Sequence, residues 1–237
     1  MRKIGMFLIT LLFLSACSEK KSTKNLQITG YIKGLKKGTL YIQKFKDSTF
    51  IPLDTIAING DSHFTTEMDI AEPEMFYLFL DRGVTNSMDN NVPFFAEKGK
   101  INIESSLELF TSDCKITGSK NQELYEEYKK VASRYVDQNL EQIKKKFDAY
   151  KTGKNENIAA AEEMQKNIQK RKYLYTTQFA VNHGDYEVAP YVALAEIYDI
   201  NLKYLDTIQK SMSPKVAKSI YGKQLNTLIA ERRKSEK

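Results

Sequence analysis

From about Leu26 to Thr117, apolar and polar residues alternate with a period of two, and turn residues interrupt the alternation at short intervals. Successive side chains of a strand point to opposite faces, so this alternation belongs to half-buried antiparallel strands. It predicts strands over residues 26–33, 39–45, 51–58, 63–68, 75–80, 92–97, 101–104 and 113–117. Gly34-Leu35-Lys36-Lys37-Gly38, Asn59-Gly60-Asp61, Glu72-Pro73-Glu74 and Lys98-Gly99-Lys100 lie between them. Asn59-Gly60 is the clearest hairpin turn, because both residues tolerate positive φ. Short strands joined so tightly imply a β-sandwich or a curled sheet. The polar stretch 82–91 reads as a loop at one end of it.

From Ser119 the period becomes helical. Ser119 with Gln122 three residues on has the form of a capping box. Leu124, Tyr128, Val131 and Tyr135 form one stripe, and Leu140, Ile143, Phe147 and Tyr150 continue the spacing after a phase slip. Lys151-Thr152-Gly153-Lys154-Asn155 breaks the pattern. A second helix over 157–182 then carries Ile158, Met164, Ile168, Tyr175 and Phe179. Two amphipathic helices around a short Gly-containing loop predict an antiparallel helical hairpin. Shorter helices are expected at 188–198 and 202–211, and Ser213-Pro214 is placed to open a last helix through about residue 228. The charged tail 231–237 is expected to fray. The fold class expected is therefore α+β: an antiparallel β-sandwich-like domain over 26–118, then a helical region over 119–237.

The first residues follow neither pattern. Met1-Arg2-Lys3 precedes an apolar run from Ile4 to Leu14, and Ser15-Ala16-Cys17 follows it. A short cationic start, an apolar stretch and small residues make a secretory signal peptide over 1–16. The run falls short of the roughly 20 residues that a permanent spanning helix needs. Leu14-Ser15-Ala16-Cys17 resembles the bacterial lipobox at every position. That resemblance implies cleavage between Ala16 and Cys17 and lipidation of the Cys17 thiol, with an acyl group such as palmitate on the new amine. Two or three acyl chains hold a protein on a membrane where one is marginal. Residues 18–25 are polar and read as a tether. Ser18 stands where an inner-membrane retention signal often has Asp, so an outer-membrane destination is expected.

Charge changes the picture only in its distribution. The net +6 includes +2 from residues 1–16, while residues 121–237 hold 21 basic against 16 acidic groups. The signs are interleaved, as on a solvated helical face, and nucleic acid is not an expected partner. Only two Cys and two His are present in 237 residues, which excludes a disulfide scaffold and leaves little for a Cys/His metal site.

The run Ile28-Thr29-Gly30-Tyr31-Ile32-Lys33-Gly34-Leu35, then Gly38-Thr39-Leu40-Tyr41-Ile42, resembles the opening of the DUF4369 domain of Bacteroidota envelope proteins. Asp54-Thr55-Ile56-Ala57-Ile58-Asn59-Gly60 with Phe64, residues 92–103, and Ile116-Thr117-Gly118-Ser119 resemble its later hairpin, strands and exit into a helix. Residues 179–222 resemble the linker region of the same proteins. In many relatives this region precedes a thioredoxin-like domain with Cys-x-x-Cys. The present sequence contains no Cys-x-x-Cys. A dithiol centre needs an attacking and a resolving thiol, and with Cys17 acylated only Cys114 is left.

The remaining candidate chemistry is thin. Cys114 beside Lys115 could be a reactive thiol, but a small apolar residue facing the core fits its strand setting better. His63 and His183 each lack a second ligand at metal spacing. Asp54, Asp61 and Asp69 fall beside turns, where Asp bonds its own backbone. No catalytic residue, cofactor or metal is expected. Aromatic residues are more plentiful: Phe76-Tyr77-Leu78-Phe79, Phe94-Phe95, Tyr173-Leu174-Tyr175, Tyr186, Tyr191 and Tyr198. Most should pack in cores, and a few could line a groove for a peptide, glycan or partner protein. The function expected is non-enzymatic binding or scaffolding by a lipid-anchored envelope protein. The alternative is an accessory to thiol–disulfide exchange that docks a separate thioredoxin-like partner.

Overall fold

The computed structural model describes residues 23–83 and 88–236. The expected signal peptide, the Ala16–Cys17 cleavage point and the lipidated Cys17 lie outside the described residues. The N-terminal half contains β1 (Leu26–Lys33), β2 (Lys37–Lys46), β3 (Thr49–Asn59), β4 (His63–Met68), β5 (Glu74–Asp81), β6 (Asn91–Ala96), β7 (Gly99–Ser106) and β8 (Lys115–Thr117). They form two four-stranded sheets, the first ordered β4-β1-β7-β8 and the second β3-β2-β5-β6. The α+β architecture expected from periodicity is therefore present, with one difference. β1 and β7 pair in parallel, Leu26 opposite Gly99 through Lys33 opposite Ser106. Local alternation fixes which face is buried but carries no information on strand direction. Here the chain visits the second sheet between β1 and β7 and returns along the same direction.

The inner faces of the two sheets close one core. β1 contributes Leu26, Ile28 and Ile32, β2 Leu40 and Ile42, β5 Leu78 and Leu80, β6 Phe94, and β7 Ile101 and Ile103, all buried. Gly30 continues the β1 row, and a Cβ there would overlap the Phe64 ring and the Ile103 carbonyl oxygen. The glycine lets the β4 aromatic cross the strand at van der Waals contact.

The helical half contains α1 (Lys120–Thr152), α2 (Asn155–Asn182), α3 (Val188–Glu196), α4 (Leu202–Ser211), α5 (Pro214–Ala217) and α6 (Ile220–Ser235). α1 and α2 form the expected antiparallel hairpin. It turns at Gly153, whose φ of 66° lies in the left-handed region that ends many helices. Two local expectations are corrected. Ser213 caps only the short α5, and Ser219 caps the last helix anew by accepting from the Gly222 N–H at 3.2 Å. The charged tail does not fray at residue 231, because Arg233 pairs with Asp206 at 2.6 Å and Arg232 donates to the Ile200 carbonyl.

A second core joins the halves. Met75 and Phe95, on the outer face of the second sheet, pack with Leu124, Tyr128, Phe179, Val192, Tyr221 and Leu225 of the helices. β6 is consequently covered on both faces, and all of its residues except Pro93 are buried. Its edge is also closed chemically. The Gln122 side-chain oxygen accepts from the Phe95 N–H at 2.8 Å, while the Ser119 hydroxyl accepts from the Gln122 N–H at 3.1 Å. Only half of the expected capping box forms, because the Gln122 side chain covers the strand edge instead of returning to Ser119.

Candidate aromatic binding face

The titratable residues singled out in the sequence serve local structure. Cys114 lies just before β8, packed against the sandwich core. Burial, reinforced by Glu126, pushes its thiol up to about 12, against a smaller opposing effect of Lys129. Lys115 is exposed. His63 Nδ1 lies 2.7 Å from Asp61 Oδ1 on the surface, where the His63 backbone N–H and ring hold the Asp61 carboxyl below its usual range. His183 closes α2, its ring against Phe179 with centroids 4.5 Å apart. Asp54 accepts from the Thr55 N–H at 2.8 Å and from the Thr66 hydroxyl. Asp69 pairs with Lys24 at 2.8 Å and accepts from the Asn25 N–H. Among the described residues no group of three or more His, Cys, Asp and Glu is placed to hold a metal ion, and no helix is long and apolar enough to cross a membrane.

The aromatic residues do converge. Residues of β2 and β5 alternate between faces, and the register pairs Tyr41 with Phe79 and Gln43 with Tyr77 on the outer side of the second sheet. Phe45 and Phe50 close the β2–β3 hairpin on the same side. The turn residues between them, Asp47 and Ser48, have φ of 49° and 63°. The rings follow one another along this surface: Tyr41 to Phe79 at 6.0 Å, Phe45 to Phe50 at 5.1 Å and Phe50 to Tyr77 at 5.0 Å. Phe45 is 53% exposed, and Tyr41, Phe50, Tyr77 and Phe79 are half-buried. Where this surface meets the helices it deepens into a depression of about 530 Å³, walled by Phe45, Tyr77, Tyr191 and Tyr221 and rimmed by Lys44, Lys46, Glu74 and Gln224.

The floor of that depression is held rigidly. Phe95 packs edge-on against Tyr125 at 5.9 Å, Tyr191 at 5.2 Å and Tyr221 at 6.2 Å. Edge-on contact sets the positive rim of one ring against the negative face of the next. The Tyr221 hydroxyl accepts from the Met75 N–H at 2.8 Å, and the Tyr191 ring packs edge-on against Tyr125 at 5.7 Å and Tyr221 at 5.1 Å. Burial pushes the Tyr125 hydroxyl up to about 12 and those of Tyr191 and Tyr221 higher. These phenols are neutral donors and acceptors, not bases, at any physiological pH. Below them, the buried Asn121 side chain bridges Glu97, Glu187 and the Val188 N–H, and Lys215 reaches Glu187 at 2.9 Å.

Residues 26–125 match the family model described as domain of unknown function (DUF4369). The chain carries a DUF4369 domain. The match covers the sandwich and the first turns of α1, so Tyr41, Phe45, Phe50, Tyr77 and Phe79 belong to the domain, whereas Tyr191 and Tyr221 come from the helices beyond it. No curated protein matches the chain.

Of the aromatic clusters noted in the sequence, Tyr77, Phe79 and Tyr191 reach this face. Phe76 and Phe94 fill the sandwich core and Phe95 the seam between the halves. Tyr173 donates to Asp199 at 2.7 Å, Tyr175 stacks on Tyr128, and Tyr198 is exposed. Tyr41, Phe45 and Phe50 were missing from the sequence expectation. Their signal was present: Tyr41 and Phe45 occupy the positions of β2 that alternation reserves for polar residues, opposite Leu40 and Ile42.

Proposed function

We propose that this protein is a lipid-anchored envelope protein that acts by binding, through the aromatic outer face of its DUF4369 domain. The observation that carries the reading is the partly exposed ring surface from Tyr41 and Phe79 to the depression at Tyr77 and Tyr191. Flat rings on a rigid sheet offer contact area at small entropic cost, and the rim groups Lys44, Lys46, Glu74 and Gln224 can orient a polar backbone. A glycan or an extended peptide suits such a surface, stacking or apolar contacts giving affinity and the rim giving direction. The lipobox-like Leu14-Ser15-Ala16-Cys17 supports anchoring, with acyl chains on Cys17 and residues 18–25 as the tether. Cys114, His63, His183 and the three aspartates, each engaged in a local contact, support a role without catalysis.

Binding of the full chain to arrays of envelope glycans and peptides tests the proposal. Tyr41→Ala with Phe79→Ala should reduce binding at least tenfold while leaving the melting transition within a few degrees. Unchanged affinity in that double variant would sink the assignment of the face. Capture of a thioredoxin-fold protein by the same face would instead favour an accessory role in thiol–disulfide exchange. Cys17→Ala should release the protein from membranes, and retention of that variant would refute the anchor.

A further inference from the structure

α1 carries two apolar stripes on different faces. Leu124, Tyr128 and Ala132 are buried against the body and α2. Beyond Tyr135 the stripe rotates onto Val136, Leu140, Ile143, Phe147 and Tyr150, every one exposed, with Leu140 at 57% and Phe147 at 58%. The side turned to α2 is held there by other residues: Gln142 and Ala149 are buried, Asn139 accepts from Gln165 at 3.1 Å, and Lys146 pairs with Glu162 at 2.6 Å. The exposed residues recur at intervals of four, three, four and three. That is the a/d seam of a coiled coil, which in soluble proteins is covered by another helix.

We infer that this seam is an interface between two copies of the chain, with their α1 helices antiparallel. The charges beside the seam choose the occupant. Asp137 and Glu141 flank its N-terminal half, and Lys144, Lys145, Asp148 and Lys151 its C-terminal half, which is net positive. Antiparallel pairing centred between Leu140 and Ile143 sets Asp137 of each copy beside Lys144 of the other. Parallel pairing lays the lysine-rich halves along each other, where like charges repel. Size matches as well as charge in the antiparallel register. Leu140 meets Ile143 at the centre, Phe147 meets the smaller Val136, and Tyr150 meets Ser133. The like-charged Lys130 and Lys151 face each other only past the last layer and so mark the end of the overlap. A lipid surface is disfavoured, because the stripe is narrow and carboxylates border it. The interface is independent of the aromatic face, and each copy keeps its own.

The full chain in detergent, with the micelle contribution subtracted from light scattering, should have the mass of two copies at about 100 µM, falling to one on dilution as for a small interface. Leu140→Glu should give one copy at every concentration while leaving the melting transition in place, because the side chain is exposed in the single chain. Asp137→Lys should weaken association about tenfold, and adding Lys144→Asp should restore it, since the double variant re-creates the pair. Leu140→Cys should crosslink to itself through a short bis-maleimide, its two copies being offset by about 5 Å along the axes. Tyr150→Cys, with copies about 25 Å apart, should not. A single-copy mass for the unaltered chain, or association indifferent to Leu140→Glu, overturns the interface. Equal crosslinking at both positions overturns the antiparallel register. Loss of membrane retention in Leu140→Glu without a change of mass would assign the seam to lipid and overturn the inference too.

Discussion

The two sheets of the sandwich share one core and differ on their other sides. Apart from Tyr31, whose ring lies 4.6 Å from that of His63, the outer face of the first sheet is polar: Gln27 donates to Glu67 at 3.0 Å, Thr29 donates to Asn102 at 3.1 Å, and Lys100 and Glu104 stand in solvent. The outer face of the second is aromatic from Tyr41 to Phe95, partly roofed by helices and partly open. A sheet that only closes a core needs one apolar face, and polar residues keep the other soluble. A sheet with apolar residues on both faces must be covered or must meet something. Here the helices cover one end, and the remainder is left open, which is what the proposed binding role rests on.

Replacing Phe95 by Ala should break this asymmetry most severely. The ring lies under three tyrosines on the covered side. Its loss should cost about 3–5 kcal/mol in denaturant unfolding. Alkali should act on the same seam. A phenol raised by burial keeps its full contribution below the ordinary value of 10.0 and loses it as pH climbs through the folded value. For Tyr125, pushed up to about 12, forced ionisation should remove about 2–3 kcal/mol. Unfolding followed by circular dichroism should therefore set in above pH 10 together with tyrosinate absorbance. A rise near pH 10 to the amplitude of all 14 tyrosines with no unfolding would contradict the buried cluster.

Gly30→Val probes the face that both sheets share, by crowding the Phe64 ring and the Ile103 carbonyl. It should cost about 1–3 kcal/mol, with a smaller native yield. Cys114, behind the same core, should react with maleimide slowly at about pH 8 in the native protein and rapidly in denaturant, because its thiol is raised to about 12. The smallest effect belongs to the outer face of the first sheet, where the Gln27 hydrogen bond is solvent-exposed. Gln27→Ala should change stability by about 0.5 kcal/mol or less, as surface substitutions do.

Much of this organisation was written in local pattern. Every strand followed from period-two alternation, and Ser119 capped its helix as the spacing required. The phase slip between Tyr135 and Leu140 was legible too, although its meaning was not: the apolar stripe leaves the buried face there, while that face stays against α2 through Gln142 and Ala149. The parallel pairing of β1 and β7 left no local trace, since direction depends on the route of the chain between them. Gln122 read as a capping partner and became the cover of a strand edge, because an unpaired Phe95 N–H lay within its reach only after the halves docked.

The aromatic face shows the same division. The sequence by itself determined which strands exist, which side of each faces the sandwich core, and that its two cysteines do not form a Cys-x-x-Cys. It also contained the lipobox-like Leu14-Ser15-Ala16-Cys17, on which the proposed anchor rests. Only the tertiary structure decided that Tyr41, Phe45, Phe50, Tyr77 and Phe79 share one surface and that Tyr191, far later in the chain than Tyr77, closes it. The physical reason is that burial is a local tendency encoded residue by residue, whereas adjacency across strands and helices is fixed by register and docking. Those depend on the closure of whole cores.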